Sequence, residues 1–168
     1  PAETGYFQGD WRGVVNFREQ WKSLGDPFQS IAASYDQNLY FLPGQFSAGF
    51  LFVNDQSGDI GLNHNRFLLS LAYKKEGPIW DYSGGLQLGL ITKSFGLDGT
   101  TFPEQYNNEI GTFDPSLPLS EQNLGNQTSY FDLNLGGLVV RKFATAYVKL
   151  GVSAHHLNSP DVSFFDNN

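Results

Sequence analysis

The chain has 168 residues with 10 Lys+Arg and 17 Asp+Glu, and its formal charge of -7 argues against nucleic acid as a general partner, because phosphate binding needs a basic face. Aromatic residues make up 15% of the chain, and charged residues make up only 16%, against about 25% in soluble domains. This composition is typical of a sheet protein with a large aromatic surface. Cysteine is absent, which excludes disulfides and thiolate metal sites, and no apolar run reaches the ~18–20 residues of a membrane-spanning helix.

The first element in the chain is a strand that begins at Trp11. Between Trp11 and Trp21 the odd positions are mostly apolar or aromatic, whereas the even positions are mostly polar and include Arg12 and Arg18. Successive side chains of a strand point to opposite faces of the sheet. This segment therefore predicts a strand with one apolar face and one polar face.

The same alternation recurs in six later segments. Their apolar positions are, in chain order, Ile31, Ala33 and Tyr35; Phe46, Ala48, Phe50 and Phe52; Phe67, Leu69, Leu71 and Tyr73; Trp80, Tyr82, Leu86, Leu88 and Leu90; Phe131, Leu133, Leu135 and Val139; and Ala146, Val148, Leu150, Val152 and Ala154. Strands of about ten residues suit a tilted membrane strand. The pattern predicts an all-β, antiparallel transmembrane β-barrel, with a soluble β-barrel or sandwich as the alternative.

Six connections separate these strands, near residues 22–27, 39–44, 54–61, 74–79, 94–129 and 141–145. The second, fourth and sixth are short, whereas residues 94–129 form a long Gly/Asn/Pro-rich stretch. Membrane barrels combine tight periplasmic turns with longer external loops. We therefore expect the amino terminus on the periplasmic side and residues 94–129 as a long external loop, where recognition is expected.

The sequence predicts seven strands, and this odd number suggests an incomplete barrel. Bacterial single-chain barrels close on an even count, and an open sheet in lipid leaves backbone groups without partners. Because the sequence opens on Pro1 and no signal-peptide pattern is recognisable in it, we expect a processed or truncated product. We expect residues 1–168 to form a single, partial barrel domain, the amino-terminal half of a longer chain of about 14 strands. A paired half-barrel is the alternative.

Six segments resemble, in the same order, motifs of the PorP/SprF family. They are Pro1–Gly5, Phe17–Trp21, Ala33–Asp36, Phe52–Asp59, Gly84–Gly89 and Gly151–Pro160. The last segment is the most specific, since its Ala154-His155-His156-Leu157-Asn158-Ser159-Pro160 run is close to the family's Ala-x-His-His-Leu-x-x-Pro ending. The departures are Glu3 and Thr4 in the first segment and Phe17 and Glu19 in the second.

The resemblance implies a non-enzymatic barrel component of the type IX secretion and gliding machinery in the bacterial cell outer membrane. Its implied partners are the lipid bilayer, type IX secretion system proteins, and periplasmic ring lipoproteins or a secreted cell-surface adhesin. The resemblance implies no cofactor. A porin-like channel or small-solute transporter remains the main alternative, and a soluble binding module and an outer-membrane hydrolase are two further ones.

The polar face carries charges of both signs, which predicts ion pairs inside the barrel. These residues are Arg12, Arg18, Arg66, Lys74, Lys93 and Lys149, with Asp36, Asp81 and Asp132. An enclosed polar face of this kind suits a lattice of ion pairs or a plugged interior better than an ion filter.

Catalytic and metal sites are not predicted. Ser153 and His155 share the polar face, which is only a weak indication of a hydrolase, because such an enzyme also needs an acid or amide beside them. His156 is expected on the opposite face, so the two histidines should not share a metal. His64 has no nearby carboxylate in sequence. Asp55 and Asp59 lie in residues 54–59, which we expect to form a turn capped by Asn and Asp side chains. A calcium-binding loop is the alternative.

Overall fold

The computed structural model describes residues 1–23, 27–40, 45–57, 61–94, 103–107, 111–114, 117 and 127–162. This part of the chain contains nine strands: β1 (Trp11–Gln20), β2 (Phe28–Leu39), β3 (Gln45–Ser57), β4 (Leu62–Lys75), β5 (Trp80–Ser94), β6 (Tyr106–Asn107), β7 (Thr112–Phe113), β8 (Gln127–Lys142) and β9 (Tyr147–Ala154). A 3-10 turn spans Pro103–Gln105. Within the described ranges, no helix is long and apolar enough to cross a membrane.

Seven of these strands form one antiparallel sheet in the order β1-β2-β3-β4-β5-β8-β9, and β6 pairs with β7 in a small separate hairpin. Each strand of the large sheet pairs with its neighbour in the chain, apart from the step from β5 to β8. The sheet is curled into a half-barrel. The predicted antiparallel, seven-stranded half-barrel is therefore confirmed.

The connections lie at two opposite rims of the sheet. The short-turn rim, as we call it, holds the connections 40–44, 76–79 and 143–146, and the long-loop rim holds 21–27, 58–61 and 95–126. The third connection is shorter than the predicted 54–61, because β3 continues to Ser57. The hairpin β6–β7 lies within the predicted loop 94–129, much of which is outside the described residues.

The apolar positions of neighbouring strands line up across the sheet. One row runs through the cross-strand partners Tyr35, Phe50, Leu69, Leu88 and Leu133. Leu69 is 62% exposed and Leu88 is 56% exposed, although both lie within long strands. A soluble monomer seldom exposes so large an apolar surface, whereas a membrane barrel turns such a band toward lipid.

The polar face is the concave face of the sheet. Glu3 forms an ion pair with Lys149 of β9, and the ring of Phe7 lies 5.0 Å from the guanidinium of Arg12 in β1. The two edge strands contact the same short segment because the sheet curls around it.

Candidate functional site

Residues 1–10, here called the N-terminal segment, lie on the concave face. The hydroxyl of Ser83 donates to the carbonyl oxygen of Ala2 at 2.7 Å, and the side-chain amide of Asn38 donates to the carbonyl oxygen of Gly9 at 2.9 Å. Ala2 packs against Leu138 and Val140, which are 4% and 1% exposed. The small apolar core of the described chain therefore lies between this segment and β8.

Three glycines on the concave face make room for the N-terminal segment. A Cβ atom at Gly85 would lie 2.5 Å from the carbonyl carbon and oxygen of Pro1, and one at Gly49 would lie 2.9 Å from the Thr4 methyl group. At Gly136 the same atom would lie 3.2 Å from the Pro1 ring. The segment approaches the sheet this closely because these positions have no side chain.

Tyr6 anchors the segment to the short-turn half of the sheet. Its hydroxyl donates to Asp81 at 3.0 Å, and its ring lies 4.6 Å from the Lys149 ammonium and 5.8 Å from the Lys74 ammonium. Burial and the hydrogen bond to Asp81 raise the pKa of Tyr6 to about 12, so the phenol remains a donor at neutral pH. Asp81 is 3% exposed and also accepts from Lys142 at 2.8 Å and from the Gly77 amide at 3.1 Å.

Glu3 makes the attachment of the segment sensitive to acid. Its hydrogen bond from Lys149, 2.9 Å long, lowers the pKa of Glu3 below the ordinary value of 4.5. The stabilisation from this pair is therefore fully present above the ordinary value and is lost as the pH falls through the lowered pKa.

We expect Lys149→Gln to increase the labelling of Tyr6 by hydroxyl radicals at pH 6, because the pair that holds Glu3 is lost. The difference between the wild type and this variant should shrink as the pH falls below the lowered pKa of Glu3. It should not vanish, because Lys149 also lies 4.6 Å from the Tyr6 ring. Footprinting by mass spectrometry measures both. A difference that persists unchanged at low pH would show that Glu3 does not contribute.

Ion pairs form on the concave face, as predicted, although most of the partners differ from the predicted set. The pairs are Arg12–Asp36, Arg66–Asp55, Lys74–Glu76, Lys142–Asp81 and Lys149–Glu3, and Asp132 contacts His156. Among the described residues, Arg18 forms no ion pair. Lys93 instead lies 5.7 Å from the ring of Tyr130. The charges of this face therefore hold strands and the N-terminal segment together.

The two histidines converge on β8, and the predicted orientation of His156 is wrong. The Nδ1 atom of His155 lies 3.1 Å from Asn134 Oδ1, and that of His156 lies 2.7 Å from Asp132 Oδ1. Strand alternation no longer applies, because β9 ends at Ala154 and His156 has a φ of 57°. The chain stays beside β8, where Leu157 donates to the carbonyl oxygen of Leu133 at 2.9 Å.

Ser153, His155 and Asn134 form a hydrogen-bonded chain with the connectivity of a hydrolase triad. Ser153 Oγ lies 3.1 Å from His155 Nε2, and His155 Nδ1 lies 3.1 Å from Asn134 Oδ1. An acyl-transfer enzyme also needs donors that point at the developing oxyanion. Ser153 is on a regular strand, whose backbone N–H groups lie in the plane of the sheet, whereas its side chain stands perpendicular to it.

We therefore expect no covalent labelling of Ser153 by a fluorophosphonate probe, since the oxyanion would lack backbone donors. Labelling is measured by mass spectrometry of the purified protein, with Ser153→Ala as the control. Labelling that disappears in the control variant would instead identify a hydrolase.

Of the two carboxylates that the alternative calcium loop would use, Asp55 is already bound by other side chains. Asp55 lies in β3, accepts from Ser30 at 2.6 Å and pairs with Arg66 at 2.7 Å, so its oxygens are engaged. Asp59 is outside the described residues. Among those that are described, no group of three or more His, Cys, Asp or Glu side chains is arranged to hold a metal ion. His64 of β4 is the direct cross-strand partner of Asp55 in β3. The Nε2 atom of His64 is buried without a hydrogen bond.

The sequence interpretation missed the N-terminal segment as part of the site. The signal was present, because Gly49, Gly85 and Gly136 fall at polar-face positions of three strands. Alternation assigns each glycine to a face but does not say what covers it, since the covering segment is far away in sequence.

A comparison with family models finds a match over residues 1–168 to the family described as type IX secretion system membrane protein PorP/SprF. The matched range includes the N-terminal segment, the glycines beneath it and the histidine pair. No curated protein and no solved structure matches the chain.

Proposed function

Because the chain belongs to the PorP/SprF family of type IX secretion system membrane proteins, we propose that it is part of an outer-membrane barrel that docks protein partners of the secretion and gliding machinery. The partners are secreted surface adhesins or periplasmic ring lipoproteins. The role is non-enzymatic. One observation carries the choice of docking over solute transport: the N-terminal segment is packed across the concave face.

A diffusion channel needs a water-filled interior. Here Ala2 is 6% exposed against the sheet, and Tyr6 binds Asp81, a residue that is itself 3% exposed. Contacts from Pro1 through Asp10 reach strands from β1 to β9. These contacts support a closed barrel, in which the polar face serves for attachment instead of conduction.

The orientation follows from the rims. We place the short-turn rim in the periplasm and the loop 94–129 outside the cell, because tight turns are the periplasmic feature of such barrels. In this orientation the N-terminal segment enters the concave face from the periplasmic side. Periplasmic lipoproteins then contact the short-turn rim, and adhesins contact the loop.

Copurification tests the docking role directly. The full-length gene product is tagged and extracted from the envelope in mild detergent, and its partners are identified by mass spectrometry. Recovery of ring lipoproteins or a large secreted adhesin supports docking. Recovery of the barrel alone contradicts it, and recovery in the soluble fraction contradicts the outer-membrane location.

Closure of the barrel is tested by Gly85→Val. The added side chain would overlap Pro1 and Ala2, so we expect the N-terminal segment to be displaced and conductance in planar bilayers to rise from near zero. The matched control is Gly84→Val on the same strand, because a Cβ atom at Gly84 meets nothing within 4 Å. High conductance of the wild-type protein would favour a porin-like channel.

A further inference from the structure

Two cations lie on the apolar face at the short-turn rim. Lys75 is the last residue of β4 and faces Tyr82 across the strand pair, and Arg141 faces Trp80. Both cations follow the alternation of the apolar positions, since Tyr73 precedes Lys75 by two residues and Val139 precedes Arg141 by two. The lipid-facing surface therefore ends in positive charge at this rim.

These cations differ from those on the concave face, which pair with carboxylates. Lys74, the neighbour of Lys75, binds Glu76 at 2.9 Å and lies near the ring of Tyr6. In the described part of the chain, neither Lys75 nor Arg141 forms an ion pair with a carboxylate. Their charge is left for a partner outside this chain.

Aromatic rings hold the guanidinium of Arg141 at the surface. It lies 5.3 Å from the centre of the Trp80 ring and 4.8 Å from that of the Phe143 ring. Trp80 is 41% exposed and Phe143 is 50% exposed. Trp and Tyr side chains are enriched at the headgroup level of membranes, so Trp80, and Tyr82 opposite Lys75, indicate the depth of the two cations.

We infer that Lys75 and Arg141 bind the headgroup of an anionic phospholipid in the leaflet at the short-turn rim. A cation on a barrel surface is costly at the bilayer midplane and nearly free of cost at the interface, where an anionic headgroup supplies the missing counter-charge. β4 and β8 flank β5, and the register offsets the two cations by two residues along β5, which places their Cα atoms about 12 Å apart. Their long, flexible side chains can reach one headgroup from that separation. The inference depends on the membrane location of the sheet and not on the docking role.

The test uses the full-length protein in vesicles of phosphatidylcholine that contain spin-labelled phosphatidylglycerol. Electron paramagnetic resonance gives the association constant of the labelled lipid relative to labelled phosphatidylcholine. We expect phosphatidylglycerol to be preferred, with a roughly fivefold loss of that preference in each of Lys75→Gln and Arg141→Gln. High salt should reduce the preference as well.

Lys74→Gln is the matched control, because it removes the same charge at the same depth from the opposite face. This variant should keep the lipid preference of the wild type. Equal preferences in the wild type, Lys75→Gln and Lys74→Gln would overturn the inference, as would equal losses in both lysine variants. Lys75→Gln alone decides the outcome if Arg141→Gln does not fold.

Discussion

Leu88→Arg should lower the free energy of unfolding in lipid vesicles by about 2–4 kcal/mol, the cost of a cation at the bilayer midplane of a barrel. Leu88 lies near the middle of β5, between the apolar cross-strand partners Leu69 and Leu133. Its side chain is 56% exposed, so in water the same substitution would remove little packing. The size of the effect therefore reports whether this face contacts lipid.

Tyr82→Arg is the control for depth. Tyr82 lies on the same strand and face but near the short-turn rim, where the cost of the same cation falls to about 0–1 kcal/mol. Urea unfolding of both variants, followed by tryptophan fluorescence, measures the difference. Equally small effects would contradict the membrane placement of the apolar face.

Asp81→Ala should cost about 2–3 kcal/mol of stability, the value of about one hydrogen bond to a charged group, and release the N-terminal segment. The cost stays below the sum over three donors because the Lys142 side chain is 41% exposed and can bond to water instead. The carboxylate of Asp81 accepts from Tyr6, Lys142 and the Gly77 amide at 3.0, 2.8 and 3.1 Å. Its removal leaves these three donors without their acceptor. Cleavage of the segment by protease and urea unfolding measure the two effects.

Glu76→Ala is the matched control for this prediction. Glu76 pairs with Lys74 at the same rim but is 46% exposed at its side chain, so its loss should cost about 0–1 kcal/mol. If Asp81→Ala proves as mild as Glu76→Ala and leaves the segment protected, Tyr6 and Asp81 do not anchor it.

The strands and their two faces could be predicted from the sequence because alternation is a local property. Phe50, Leu69 and Leu88 were assigned to one face from their own strands, and the register then places them side by side. The charges of the opposite face are assigned in the same way, and most of them form ion pairs, although only Arg12–Asp36 joins two of the predicted residues. Local alternation does not show where a strand ends, so the sequence predicts Asp55 in a loop, although it belongs to β3.

The amino-acid sequence by itself determined the architecture and the family of this protein, because both depend on residue order and on side-chain periodicity along each strand. Only the tertiary structure decided that the N-terminal segment covers the concave face and that His156 turns back onto Asp132. Those contacts join residues more than twenty positions apart, Tyr6 with Asp81 and His156 with Asp132. The first pair forms because the sheet curls around the N-terminal segment, and the second because the chain after β9 stays beside β8. No local pattern in the sequence encodes which of these residues meet.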